Sequence, residues 1–172
     1  FDVVCPSEYI IDRMLANDML LPIPRDFGNT PDYTSLVSPY VIDQFPRMDK
    51  EGKPANDYAV GYMWGTTGIL YNPEYVTDEE VDSWGIIWDD RFEGKILMKD
   101  AYRDIFGPML MYARYQDILD GKVTREQLMN DSSDEAIATV ENLLKAAKKN
   151  IAGWEVDFGK EMMTKKKAYM NV

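Results

Sequence analysis

Ser7, Tyr9, Trp64 and Asp104 are the side chains whose types and settings point most directly to chemistry. Ser7 and Tyr9 come immediately after the strand-like run Phe1–Cys5 and open a helical pattern. Ser7 could accept a hydrogen bond from an ammonium group, and Tyr9 could offer it a π face. Asp104 follows the strand-like Lys95–Met98 and stands near the start of the next helix. The helix dipole favours an ionised carboxylate there, which suits a permanent cation. Trp64 sits inside the uncharged, aromatic run Tyr58–Asn72, where it could line a cleft. Each also has a plainer use: Ser7 and Asp104 as helix caps, Tyr9 as a surface aromatic, Trp64 as a core plug.

The rest of the composition narrows the chemistry further. The chain has no histidine, which removes the commonest general base and the Ser-His and Cys-His nucleophile arrangements. It has one cysteine, Cys5, so no internal disulfide can form. The apolar run around Cys5 predicts a buried, inert thiol. No Cys-x-x-Cys pair, phosphate-cradling glycine loop or metal-spaced cluster occurs, so neither a metal nor a cofactor is expected. Lys and Arg number 19 against 30 Asp and Glu, a net charge of −11. That argues against a nucleic-acid partner and is compatible with a cationic ligand. Lys165-Lys166-Lys167 reads as a solvated helix end. The sequence points to binding rather than catalysis.

The elements that must position these groups follow an α/β pattern. At 172 residues the chain can hold one good core or two small lobes. Phe1–Cys5 reads as a short buried strand. Ser7 then opens a helix with Ile10, Ile11, Met14 and Leu15 on one face. Residues 22–57 are broken by Pro22, Pro24, Pro31, Pro39, Pro46 and Pro54. Tyr58–Asn72 reads as a β-segment interrupted by Gly61, Gly65 and Gly68, suited to a hinge near Trp64. Trp84, Trp88 and Phe92 anchor a short helical stretch before the strand Lys95–Met98. A helix is predicted over Ile105–Leu119, with Pro108 in its first turn. Ser132-Ser133-Asp134-Glu135 fits a capping box, with Ile137, Val140, Leu144 and Ala147 at helical spacing behind it. A helix near Phe158–Lys165 leads into a last strand, Ala168–Val172.

Three stretches resemble, in order, the spermidine/putrescine-binding proteins, the extracytoplasmic receptors of polyamine ABC importers. They are Phe1–Asp12, Tyr62–Asn72 and Ser83–Met98, the last reading Ser-Trp-Gly-Ile-Ile-Trp-Asp-Asp-Arg-Phe-Glu-Gly-Lys-Ile-Leu-Met. The resemblance covers nearly the whole chain. It implies a two-lobed periplasmic-binding-protein-like α/β fold of type II, present in part, with the family's first βαβ portion and C-terminal part absent. Residues 1–64 would belong to one lobe and 65–172 to the other.

The family places ligand contacts at Pro-Ser-x-Tyr, here Ser7 and Tyr9. It carries a carboxylate within Asp-x-x-Arg-Glu/Asp-hydrophobic-Phe, which Arg103-Asp104-Ile105-Phe106 preserves. Where some members add a second carboxylate, this chain has Ala101. Trp64 matches the hinge. Asp157 matches a loop that holds a polar cleft residue in some members, although Val156 replaces the hydroxyl residue seen in others. The implied partners are a polyamine and the transmembrane permease of an ABC importer. The implied location is the periplasm or, as a lipoprotein, the cell surface. A related receptor for an oligosaccharide, thiamine or a metal chelate remains the alternative. A hydrolase built on paired carboxylates ranks below both.

Overall fold

A computed structural model describes residues 2–25 and 33–172. The chain divides into two compact units, Phe1–Thr66 and Thr67–Val172.

In the first unit, α1 (Glu8–Ala16) begins after Ser7, whose backbone is extended and whose carbonyl accepts the N–H groups of Ile10 and Ile11. Helix α1 buries Leu15 with Phe45, Met48 and Ala55, and Ile11 packs against that cluster. The proline-rich stretch folds into single turns: α2 (Pro39–Ile42) and 3-10 turns at Tyr33–Leu36, Phe45–Met48 and Ala55–Asp57. Pro39 and Pro46 occupy the first turns of their pieces, where a missing N–H leaves nothing unpaired. Pro31 lies outside the described residues.

The predicted strand at the start of the chain does not form. Residues 2–5 are exposed and have no ladder partner among the described residues, and Phe1 lies outside them. The Cys5 thiol is therefore exposed, not buried. The Tyr58–Asn72 segment is corrected in the same way, since only Leu70–Tyr71 is a strand. Among the described residues, 60–69 make no backbone–backbone hydrogen bond. Apolar, β-prone residues become a strand only when a neighbour completes the ladder and the cross-strand pairs.

The second unit holds a four-stranded sheet of β1 (Leu70–Tyr71), β2 (Ile96–Lys99), β3 (Ile151–Glu155) and β4 (Met170–Asn171), in the order β1-β4-β2-β3. Strand β2 runs parallel to both β3 and β4, and β1 is antiparallel to β4. The connection from β2 to β3 carries α3 (Tyr102–Ala113), α4 (Tyr115–Leu119), α5 (Arg125–Met129) and α6 (Asp134–Ala147), while α7 (Gly159–Thr164) joins β3 to β4. Ile96 and Met98 face the main core with Ile105, Met109, Leu110, Leu128 and Val140. Helix α3 packs against β2, α5 and α6.

Asn150, fully buried, ties this unit together ahead of β3. Its side-chain amide donates to the carbonyls of Ile87 and Asp89, each at 2.9 Å. Its own carbonyl accepts from Lys95 and Ile96. The 84–92 stretch is thereby held as two 3-10 turns, Trp84–Trp88 and Asp90–Phe92, with Ile86, Ile87 and Phe92 buried.

Other local expectations shift. The predicted Ile105–Leu119 helix starts earlier, at Tyr102, and breaks at Arg114 into α3 and α4. Pro108 is therefore inside α3 rather than in its first turn. The N-cap of α6 is Ser133, not Ser132, and it accepts from the Ala136 N–H. A reciprocal capping box does form, but at Thr124 and Gln127 on α5. Strand β3 was not expected, because Ala152 and Gly153 interrupt its β-branched and aromatic character.

Candidate functional site

Because β2, β3 and β4 are parallel, their carboxyl ends lie along one edge of the second unit's sheet. Ligands in open α/β sheets gather outside that edge. Two loops leave it, Asp100–Ala101 into α3 and Val156–Phe158 into α7. The Asp100 N–H donates to the Glu155 carbonyl at 2.8 Å, which joins the two loops at their roots.

Asp104 lies in the first turn of α3, three residues after the N-cap Ala101. It is half-buried, and among the described residues no hydrogen bond or ion pair reaches its carboxylate. The first-turn position aims the positive end of the helix at that charge. Pro108 sharpens the local polarity, since it lacks the N–H that would bond the Asp104 carbonyl in a regular helix. Ala101 contributes no side-chain cap, and Tyr102 beside it is an exposed aromatic. Asp157 is exposed in the Val156–Phe158 loop. The fold of the second unit thus brings the first turn of α3, with Asp104, and the loop that carries Asp157 to the same sheet edge.

Ser7, Tyr9 and Trp64 belong to the first unit. Ser7 occupies the N-cap of α1, yet its hydroxyl makes no capping bond, and the residue is exposed. Tyr9 is half-buried in the first turn of α1. Trp64 is 63% exposed and meets Tyr40 in a tilted ring contact with centroids 5.1 Å apart, so it is not a core plug.

Sequence reasoning missed Glu155. It is only 5% exposed, at the carboxyl end of β3. Its Oε2 accepts from the Gly159 N–H at 2.8 Å and its Oε1 from the Asn171 amide at 3.0 Å. A carboxylate closing an otherwise apolar strand was the one available signal, and without β3 it had no context. Among the described residues, no group of three or more His, Cys, Asp or Glu side chains could hold a metal ion. Among the described residues, no helix is long and apolar enough to cross a membrane.

A charged knot elsewhere in the second unit links Arg91 to Asp89 and Glu80, each at 2.6 Å. The Arg91 guanidinium, with the Arg91 N–H, holds the Asp89 carboxyl below its ordinary value. The Thr77 N–H, then Arg91, does the same for Glu80.

The profile of the bacterial extracellular solute-binding protein family matches residues 18–170. The chain belongs to that family. Among its relatives, the spermidine/putrescine-binding periplasmic protein of Escherichia coli is 27% identical over 157 residues, covering 91% of this chain and 39% of that protein. The putrescine-binding periplasmic protein SpuD of Pseudomonas aeruginosa is 45% identical over 93 residues, 51% of this chain and 23% of its own length. A solved Listeria monocytogenes chain described as a spermidine/putrescine ABC transporter superposes with a TM-score of 0.70 at 25% identity, covering 99% of this chain and 46% of that one. The chain therefore spans less than half the length of these relatives. The resemblance drawn from the sequence holds at the level of the family, and the fold is the α/β, type II periplasmic-binding-protein-like fold, present in part. The family is extracellular, which places the chain's work outside the cytoplasm.

Proposed function

We propose that this chain is part of the solute-binding receptor of an ABC importer and takes a polyamine such as spermidine or putrescine without covalent chemistry. The transmembrane permease of that importer is its partner. Residues 1–64 form one lobe and offer Ser7, Tyr9 and Trp64. Residues 65–172 form most of the other and offer Asp104 and Asp157. The observation that carries the reading is Asp104, a half-buried first-turn carboxylate with no cation of its own among the described residues, in a chain whose relatives are named for spermidine and putrescine. A solute ammonium supplies the missing charge, and methylenes between ammonium groups suit exposed aromatics. The net charge of −11 raises the local concentration of such a cation.

Asp104→Asn tests this in the intact protein by titration calorimetry with spermidine and putrescine. Removing one side of a desolvated carboxylate–ammonium contact costs about 2–5 kcal/mol of binding. Unchanged polyamine affinity removes Asp104 from the site. A thermal-shift panel of polyamines, sugars, thiamine and metal chelates decides the solute class, since a bound solute raises the melting temperature by mass action. A shift with a non-polyamine alone establishes the alternative receptor, which the absence of a second carboxylate at Ala101 would then explain.

A further inference from the structure

Glu155 is the charged side chain that the second unit buries, and burial of a carboxylate is costly unless hydrogen bonds replace its water. Those bonds come from two different elements, the Gly159 N–H at the start of α7 and the Asn171 amide at the end of β4. Separately, the Glu155 main-chain carbonyl accepts from the Asp100 N–H after β2. No Lys or Arg pairs with it among the described residues. Any side chain at 159 must displace the ends of Asn171 or Glu155. A Cβ there would lie 2.2 Å from Asn171 Nδ2 and 2.6 Å from Glu155 Oε1. Asn171 Oδ1 is buried beside this group without a partner among the described residues. The buried side chain thus joins the start of α7 to the end of β4, while the same residue's main chain holds the segment that leaves β2.

We propose that Glu155 is a positioning residue for solute binding. Its side chain clasps the far end of the Val156–Phe158 loop to the end of β4, and this steadies the strand end whose main-chain carbonyl holds Asp100, so that Asp157 is presented in a fixed place beside Asp104. The proposal rests on the solute-binding reading above. Glu155→Ala leaves the Gly159 N–H and the Asn171 amide buried and unpaired, and it frees the loop that carries Asp157. Glu155→Gln keeps an acceptor for Gly159. Its own amide can donate to Asn171 Oδ1 once the Asn171 amide turns over, so the clasp is retained.

The experiment combines spermidine titration with amide hydrogen exchange on the intact protein. Glu155→Ala is expected to weaken spermidine about tenfold or more, and Glu155→Gln to stay within about threefold of the parent. Leu128→Ala, a core truncation within α5, controls for stability alone: it lowers the melting temperature and leaves affinity within about threefold. Unchanged affinity in Glu155→Ala, or equal weakening in Leu128→Ala, overturns the proposal. If the parent protein binds no polyamine, the functional reading fails and exchange alone judges the clasp. The Gly159 amide should then exchange about tenfold or more faster in Glu155→Ala, with β2 amides unchanged. Unaltered exchange at Gly159 also overturns it. Should Glu155→Ala fail to fold, Asn171→Ala removes one donor and is read by the same two measurements, with the same directions expected.

Discussion

The two units carry comparable β-prone sequence and make different use of it. In Thr67–Val172, Ile96–Lys99 is flanked by β3 on one side and β4 on the other, and its apolar residues alternate between two covered faces. In Phe1–Thr66, the runs at 2–5 and 60–66 have no ladder partner among the described residues and stay exposed, with Val3 at 87%, Tyr62 at 80% and Met63 at 78%. The first unit is held instead by a small helical core around Leu15, Phe45, Met48 and Ala55. The difference teaches that strand character is a property of pairs of segments. A valine run is a strand only where the fold supplies its neighbour.

The largest expected effect contrasts the two cores. Leu110→Ala, in the second unit's core beneath the sheet, should cost about 2–5 kcal/mol of stability, read by denaturant unfolding. Leu15→Ala deletes the same atoms from the smaller core and should leave β2 amide protection intact. Loss of β2 protection in Leu15→Ala would break the contrast, because the two cores would then be one cooperative unit.

A smaller effect concerns local support. Thr124→Ala removes the α5 capping box and should cost about 0.5–2 kcal/mol. Ser7→Ala should leave stability nearly unchanged by thermal melting, since the Ser7 hydroxyl caps nothing. A larger loss for Ser7→Ala would reverse the ranking.

The smallest effect is on pH dependence. Asp89 and Glu80 are held below their ordinary values of 3.8 and 4.5, so their contribution is fully present above those values. It is lost as pH falls through the depressed ones, because the unfolded chain takes up protons first. Arg91→Met should therefore flatten the fall in melting temperature on acidification. Both carboxylates are only partly buried and remain open to solvent screening, so the change is modest. An identical acid profile in Arg91→Met would show that the knot contributes nothing.

Much of the candidate site was legible before the fold was known. Arg103-Asp104-Ile105-Phe106 and Pro6-Ser7-Glu8-Tyr9 are contiguous motifs, and each sits at a helix start that the local sequence marks. Asp157 was legible only through family resemblance. Glu155 was not, because its burial depends on Gly159 and Asn171, which reach it from separate elements. Cys5 was misjudged for a related reason: an apolar run implies burial only if something covers it.

What the sequence by itself determined is the local and compositional layer. It set the acidic charge, the lack of histidine chemistry, the helical period of α6 and the family motifs. Helices are readable in this way because their hydrogen bonds close within four residues, and caps and apolar stripes lie in the same short window. The tertiary structure alone decided which β-prone runs became strands, that Ile151–Glu155 is one of them, and that a glutamate at its end is buried as a clasp. Those outcomes depend on partners up to about a hundred residues away, as with Leu70 and Asn171 across β1 and β4. A ladder bond needs two segments, and one segment's sequence specifies only its own half.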